Sequence, residues 1–238
     1  MNSENRFVTF IFELRRNILI LGLAVVVFTL GFYLLSDIIL LFFQNHLDQK
    51  LAFFRVAEPF LAHIKIALFT ALFTLMPAIL YVFWNALVKP FNMSRKSFTL
   101  FLFFTCLLFY GGVLFCYFIT LPYGVNFLLE FQSEQLRPVI SIGKFISFVT
   151  LFLLAFGVIF ELPVLMIFAS KSGLVSRNFF EKNRRYALLV ISIIAALLTP
   201  TPDIVNMMLM GVPLYVLYET GILVLKIMKI NGPVKSSE

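Results

Sequence analysis

The stretch "LLAFGVIFELPVLMIFAS", residues 153–170, decides how this chain is read. It is apolar throughout except for one carboxylate, Glu161, placed two residues before Pro163. A charged acid at the centre of a membrane helix costs about 2.5–3.5 kcal/mol on insertion scales. The surrounding composition nevertheless requires a bilayer. Hydrophobic residues make up 61% of the 238 and charged residues only 13%, against roughly 25% charged in soluble domains. Mean hydropathy is +0.99, more apolar surface than a soluble fold of this length hides. The chain is read as all-α and polytopic in the membrane.

Working outward from that stretch, six apolar runs approach the roughly 20 residues a span needs. They cover approximately 17–36, 66–88, 98–121, 145–169, 186–198 and 204–225. No soluble domain remains, so residues 1–238 are expected to form a single integral membrane domain, with 37–65 and 122–144 as loops. The first run is longer than a signal-peptide core and no small-x-small site follows it, so it reads as a retained span. Of the Lys and Arg residues, fourteen fall in one alternate set of loops and five in the other. The positive-inside rule therefore puts both termini on the cytoplasmic side, as an even number of spans requires. It also accounts for the net charge of +7 without a nucleic-acid partner.

The fifth run holds 13 residues, about 20 Å of helix against a hydrocarbon core of about 30 Å. It is joined to the sixth by "TPTPD", Thr199–Asp203. Pro77, Pro163 and Pro213 each remove a backbone donor inside a run and bend the helix there. Short fifth and sixth helices with three kinks predict a bowed, concave bundle.

Glu161 and Glu219 lie at similar depth, about 16 and 15 residues into the fourth and sixth spans. Each must be protonated, paired or wet. Lys226, two turns beyond Glu219, offers that acid hydration near the membrane face, so packing is its plainer reading. Nothing basic lies within two turns of Glu161, which favours a functional role. Asp203, after Pro202, reads first as a helix N-cap. Cys106 and Cys116 are ten residues apart in one run, hence about 15 Å along a helix and unable to bridge. His46 and His63 fall in the first outer loop without an acid or thiol at metal-ligand spacing. There is no nucleophile–base pair, HExxH or phosphate loop, so neither enzyme activity nor a cofactor or metal is expected.

Four polar stretches then appear in order: "FIFELRRNILI" with Glu13, Arg15 and Arg16; "EPFLAHIKIALF" at Glu58–Phe69; "AFGVIFELPV" at Ala155–Val164; and "LLTPTPDIVNMMLMGVPLYVLYETGI" at Leu197–Ile222. On six spans with both ends inside, this set resembles TatC, the core membrane component of the twin-arginine (Sec-independent) protein translocase, from about Phe10 to Ile227. The resemblance implies a receptor for twin-arginine signal peptides that moves folded proteins on the proton-motive force, in a bacterial inner membrane or in a mitochondrial or thylakoid one. It implies that Glu13 binds the paired arginines, with Arg15 as its basic companion. A carboxylate meeting a guanidinium in a bidentate pair favours arginine over lysine. Pro59 would shape the outer cap, Glu161 would sit in a groove used by partner helices, and Asp203 would match the acid of the fifth-to-sixth turn. Glu219 joins the intramembrane polar set. TatA- and TatB-like single-span proteins, twin-arginine precursors and further copies of the chain are the implied partners.

Two departures stand out. The first cytoplasmic loop usually carries a second acid, but "KPFNMSRKSF" has three basic residues and none, leaving Asn92 and Ser94 as polar help for Glu13. "TPTPD" is also one residue longer than the common "TPPD". The competing reading is a proton-coupled secondary transporter working through the intramembrane carboxylates.

Overall fold

Inside lipid every backbone N–H and C=O must find its partner within the chain, and helices satisfy that locally. The fold is accordingly helical. The structure, a computed structural model, describes residues 3–47, 51–52, 54–88, 91, 94–130, 140–198 and 204–230. Its elements are α1 (Ser3–Tyr33), α2 (Ser36–Leu47), β1 (Leu51–Ala52), α3 (Glu58–Val88), α4 (Arg95–Phe115), α5 (Leu121–Glu130), β2 (Ile140–Ser141), α6 (Ile142–Phe160), α7 (Leu162–Lys171), α8 (Arg177–Lys182), α9 (Arg184–Leu198) and α10 (Ile204–Ile227). Four stretches among the described residues are long and apolar enough to cross a membrane: Glu58–Val88, Arg95–Val125, Ile142–Lys171 and Met210–Ile227. Asn17–Tyr33 with Ser36–Gln44, bent by 72°, makes a fifth if taken as one span. Exposed Leu19, Leu30 and Phe103 show the apolar outer surface that lipid would cover.

The helices pack as two units, one of residues up to Cys106 with Leu121–Leu154, the other of Leu107–Thr120 with residues from Ala155 onward. In the first, α1 lies along α3. The 72° bend is pinned from three sides. The Ser36 hydroxyl donates to the Tyr33 carbonyl at 2.6 Å, and His63 Nδ1 lies 3.0 Å from Ser36 Oγ. His63 Nε2 is 3.5 Å from an Asp37 carboxylate oxygen. His63 is therefore a residue of α3, not of a loop; Glu58 and Pro59 start the helix well before the apolar run begins. The expected loops also hold α2, α5 and a two-residue parallel pairing of β1 with β2, Leu51 opposite Ile140. Trp84 stacks on Phe101 at 5.0 Å and 7° between planes, which centres the buried aromatic core of this unit.

Proline decides where helices change. Pro122 cannot donate to the carbonyl one turn back, and the chain widens to a π turn over Cys116–Thr120 immediately before it. Pro77 and Pro213 are carried inside α3 and α10. The sixth helix is consequently not short: Pro213 does not end it and α10 runs 24 residues. The fifth is short, with α9 at 15 residues, about 22 Å.

In the second unit, glycine sets the helix spacing. A Cβ on Gly112 would lie 2.6 Å from Phe160 Cγ and 2.8 Å from the Phe156 carbonyl oxygen. A Cβ on Gly157 would lie 2.5 Å from the Phe109 ring. Each helix thus offers a glycine to the other's phenylalanine. Lipid supplies no hydrophobic force between helices, so this close approach is the cohesion. Gly112→Ala is expected to destabilise the chain by about 1–3 kcal/mol, read as a lower Tm in detergent. Gly111→Ala, with nothing within 4 Å of the new Cβ, should melt like the parent.

Candidate intramembrane polar site

Glu161 lies in the one-residue turn between α6 and α7, where Pro163 removes a donor. Its N–H bonds back to the Val158 carbonyl at 3.1 Å, three residues instead of four, and its own carbonyl accepts from Leu165 N–H at 3.0 Å. The span therefore continues through the turn. The Glu161 side chain is only 7% exposed, so an acid in the middle of a 30-residue apolar stretch is enclosed by protein, not presented to open lipid.

Beside it, α7 and α10 come together. A Cβ on Gly221 would lie 2.8 Å from Met166 Sδ and 3.4 Å from Pro163 Cα. Met166, Ile191, Leu214, Tyr218 and Ile222 form the buried cluster there. The Pro163–Gly221 contact joins the two helices, and Glu161 and Glu219 each lie two residues before it in sequence.

Their surroundings differ. Glu219 takes a bidentate pair from Arg184, with Nε to Oε1 at 2.9 Å and an Nη to Oε2 at 3.0 Å. Tyr215 donates its hydroxyl to Oε1 at 3.1 Å. Arg184 opens α9, two residues ahead of the apolar run, and this partner was missed in the sequence because it lies 35 positions away. The only sequence signal was a basic pair, Arg184–Arg185, at a span end. Next to it, Tyr218 donates to the Phe180 carbonyl at 2.8 Å, tying α8 to α10. Ser176 caps α8 by accepting from Phe179 N–H at 3.3 Å.

Pro59 and Ser94 belong to the first unit. Pro59 is the second residue of α3, where a missing donor costs nothing. Its neighbour Glu58 accepts the Phe54 N–H at 2.9 Å. Ser94 precedes α4 as its cap; its carbonyl accepts the Phe98 N–H at 3.1 Å, and its hydroxyl lies 3.0 Å from that of Ser97. Glu13 and Arg15 fall on α1, in one helix with the first span; their side chains lie outside the described residues. Asn92 and Asp203 lie outside them altogether. No group of three metal-binding side chains occurs among the described residues.

Residues 9–213 match the family described as Sec-independent protein translocase protein (TatC). The chain belongs to the TatC family. It is 37% identical over 220 residues to the Sec-independent protein translocase protein TatC of Carboxydothermus hydrogenoformans, covering 91% of this chain and 90% of that one. It is 33% identical to TatCy of Bacillus subtilis, over 90% and 86% of the two chains. Among solved structures, the twin arginine translocase receptor TatC in DDM superposes with a TM-score of 0.79 at 28% identity, covering 90% of this chain and 98% of that one. As a TatC protein the chain is an integral membrane component of a protein translocase and not an enzyme.

The Arg184–Glu219 pair is half-exposed at its guanidinium, and such pairs contribute about 0–1 kcal/mol. Arg184→Gln should lower Tm slightly in low salt, and the difference from the parent should vanish in high salt.

Proposed function

We propose that this TatC protein is the twin-arginine signal-peptide receptor and core subunit of a translocase that moves folded proteins across an energised membrane. The observation that carries the reading is the family match over residues 9–213, which contains Glu13, Glu58–Pro59, Glu161 and Asp203 in order. In this proposal residues 1–238 form one membrane domain of six spans, α9 being the short fifth, with both termini cytoplasmic. The charge asymmetry of the loops supports that orientation.

The signal peptide is received at the membrane end of α1. Glu13 accepts a guanidinium with two parallel hydrogen bonds, a geometry the ammonium of lysine does not reproduce. Arg15 orients it, and Asn92 and Ser94 supply neutral polar contacts where the loop has no acid. Glu161 is the polar handle of the groove, with Asp203 at the outer turn before α10. Glu219 belongs to the same level but is held by Arg184. Pro59, Pro163 and Pro213 shape the helices that carry these groups. TatA- and TatB-like single-span helices dock along α10, and several copies assemble in the working complex. No observation favours a proton-coupled transporter, and one of the two acids on which that reading stood has a guanidinium partner.

Photo-cross-linking from position 13 in native membranes tests the receptor role. Adducts with a twin-Arg precursor and few with its twin-Lys counterpart are expected. Equal adducts with both would show that the basic loop has relaxed the specificity, and none with either would remove the receptor reading. Glu161→Ala should leave the chain accumulating in the membrane while export of a folded precursor falls by about tenfold or more, a loss of about 1.4 kcal/mol or more in coupling. Loss of accumulation itself would instead make Glu161 a packing residue.

A further inference from the structure

A second polar place lies in the first helical unit. Glu58, Leu61 and Lys65 of α3 and Gly143, Lys144 and Ser147 of α6 line a recess of about 370 Å³. Lys65 Nζ donates to Ser147 Oγ at 2.7 Å, and that hydroxyl spends its own hydrogen on the Gly143 carbonyl at 2.8 Å. Ser147 thus accepts from the ammonium without neutralising it. Lys65 is half-buried, and an ammonium in that position calls for an anion. Among the described residues neither Lys65 nor Lys144 has an ion-pair partner. Glu58 does not serve Lys65: it lies two turns away, roughly 10 Å along the helix, with Oε2 occupied by the Phe54 N–H.

The level of the recess identifies what would fill it. Lys65 immediately precedes Ile66 and Lys144 immediately precedes Phe145, where two apolar spans begin. Phosphates of a bilayer lie at that boundary between hydrocarbon and water. Leu61, half exposed beside the recess, gives an apolar wall.

We propose that this recess binds one phospholipid headgroup, with its phosphodiester on the Lys65 and Lys144 ammoniums and its primary amine on the Glu58 carboxylate. The acyl chains then run down beside Leu61 and α3. Gly143 keeps the floor open: a Cβ there would already lie 3.8 Å from Glu58 Cγ, and a larger side chain would occupy the headgroup's place. The site needs only the start of the two spans and does not rest on the receptor reading. The loop charges put it in the leaflet away from the basic loops.

The test is native mass spectrometry of the full chain in detergent with phosphatidylethanolamine, phosphatidylglycerol or phosphatidylcholine added. One phosphatidylethanolamine should be retained in preference to the others. Lys65→Gln with Lys144→Gln should weaken it about tenfold, and Glu58→Gln should erase the preference over phosphatidylglycerol while leaving phosphate-dependent binding. Gly143→Leu should block binding without changing any charge, and it decides the matter together with Lys144→Gln alone if the double variant does not fold. Binding unchanged in these variants, or no preference in the parent, would overturn the proposal. Millimolar inorganic phosphate separates the two sources of phosphate: lipid that stays bound supports the headgroup site, and lipid displaced by it would make this a free-phosphate site and overturn it.

Discussion

The rest of this structure depends on one requirement: a backbone polar group in lipid has no water to turn to, and each proline removes a donor that the helix needs. The chain answers differently at each one. At Pro122 it widens into a π turn, and at Pro213 it carries the defect inside a continuous helix. At Pro163 it inserts a single turn residue, tightening one bond to three residues before resuming the helix. That turn residue is Glu161. The residue at the turn is thus the buried acid, and its backbone stays close to helical at φ −69° and ψ −13°.

Close packing supplies the second level of order. Where soluble helices gain from removing apolar surface from water, these must gain from dispersion at short range. Phe160 over Gly112 and Phe109 over Gly157 fill one another's gaps, and Phe109 is fully buried. The third approach, Met166 and Pro163 against Gly221, sets the register of α7 on α10. Phenylalanine, 31 of the 238 residues, makes such an approach at Gly112 and Gly157, where a flat ring reaches a backbone.

Hydropathy made the apolar helices legible. The fifth helix begins two residues before its expected start and ends where expected, because its bounds coincide with charges and a proline-rich turn. The polar segments were less legible. Helix α3 starts eight residues before its apolar run, since Glu58–Pro59 is a good helix start whatever follows. Helix α2 continues the chain past a bend that composition does not mark. The polar motifs could be placed in order along the chain, but partners far apart in sequence could not be found by counting along a helix. His63 with Ser36, Lys65 with Ser147 and Arg184 with Glu219 are all of that kind.

The two acids of the fourth and sixth apolar runs show what such counting leaves out. By spacing they are equivalent, each near the middle of a span and each near a proline. Lys226 was the nearest visible cation to Glu219, yet its partner comes from the corner between α8 and α9, where the Asn183 side chain holds the Phe179 carbonyl at 2.8 Å and Arg184 begins the next helix. A carboxylate that already accepts two guanidinium bonds and a phenol has most of its acceptor capacity engaged, so its chemistry is cohesion between α9 and α10. Glu161, two residues before the proline of its own span, is buried where that span turns. The depth of an acid in a membrane therefore says that it must be compensated. Which element turns back beside it decides where in the chain that compensation comes from, as the start of α9 does for Glu219.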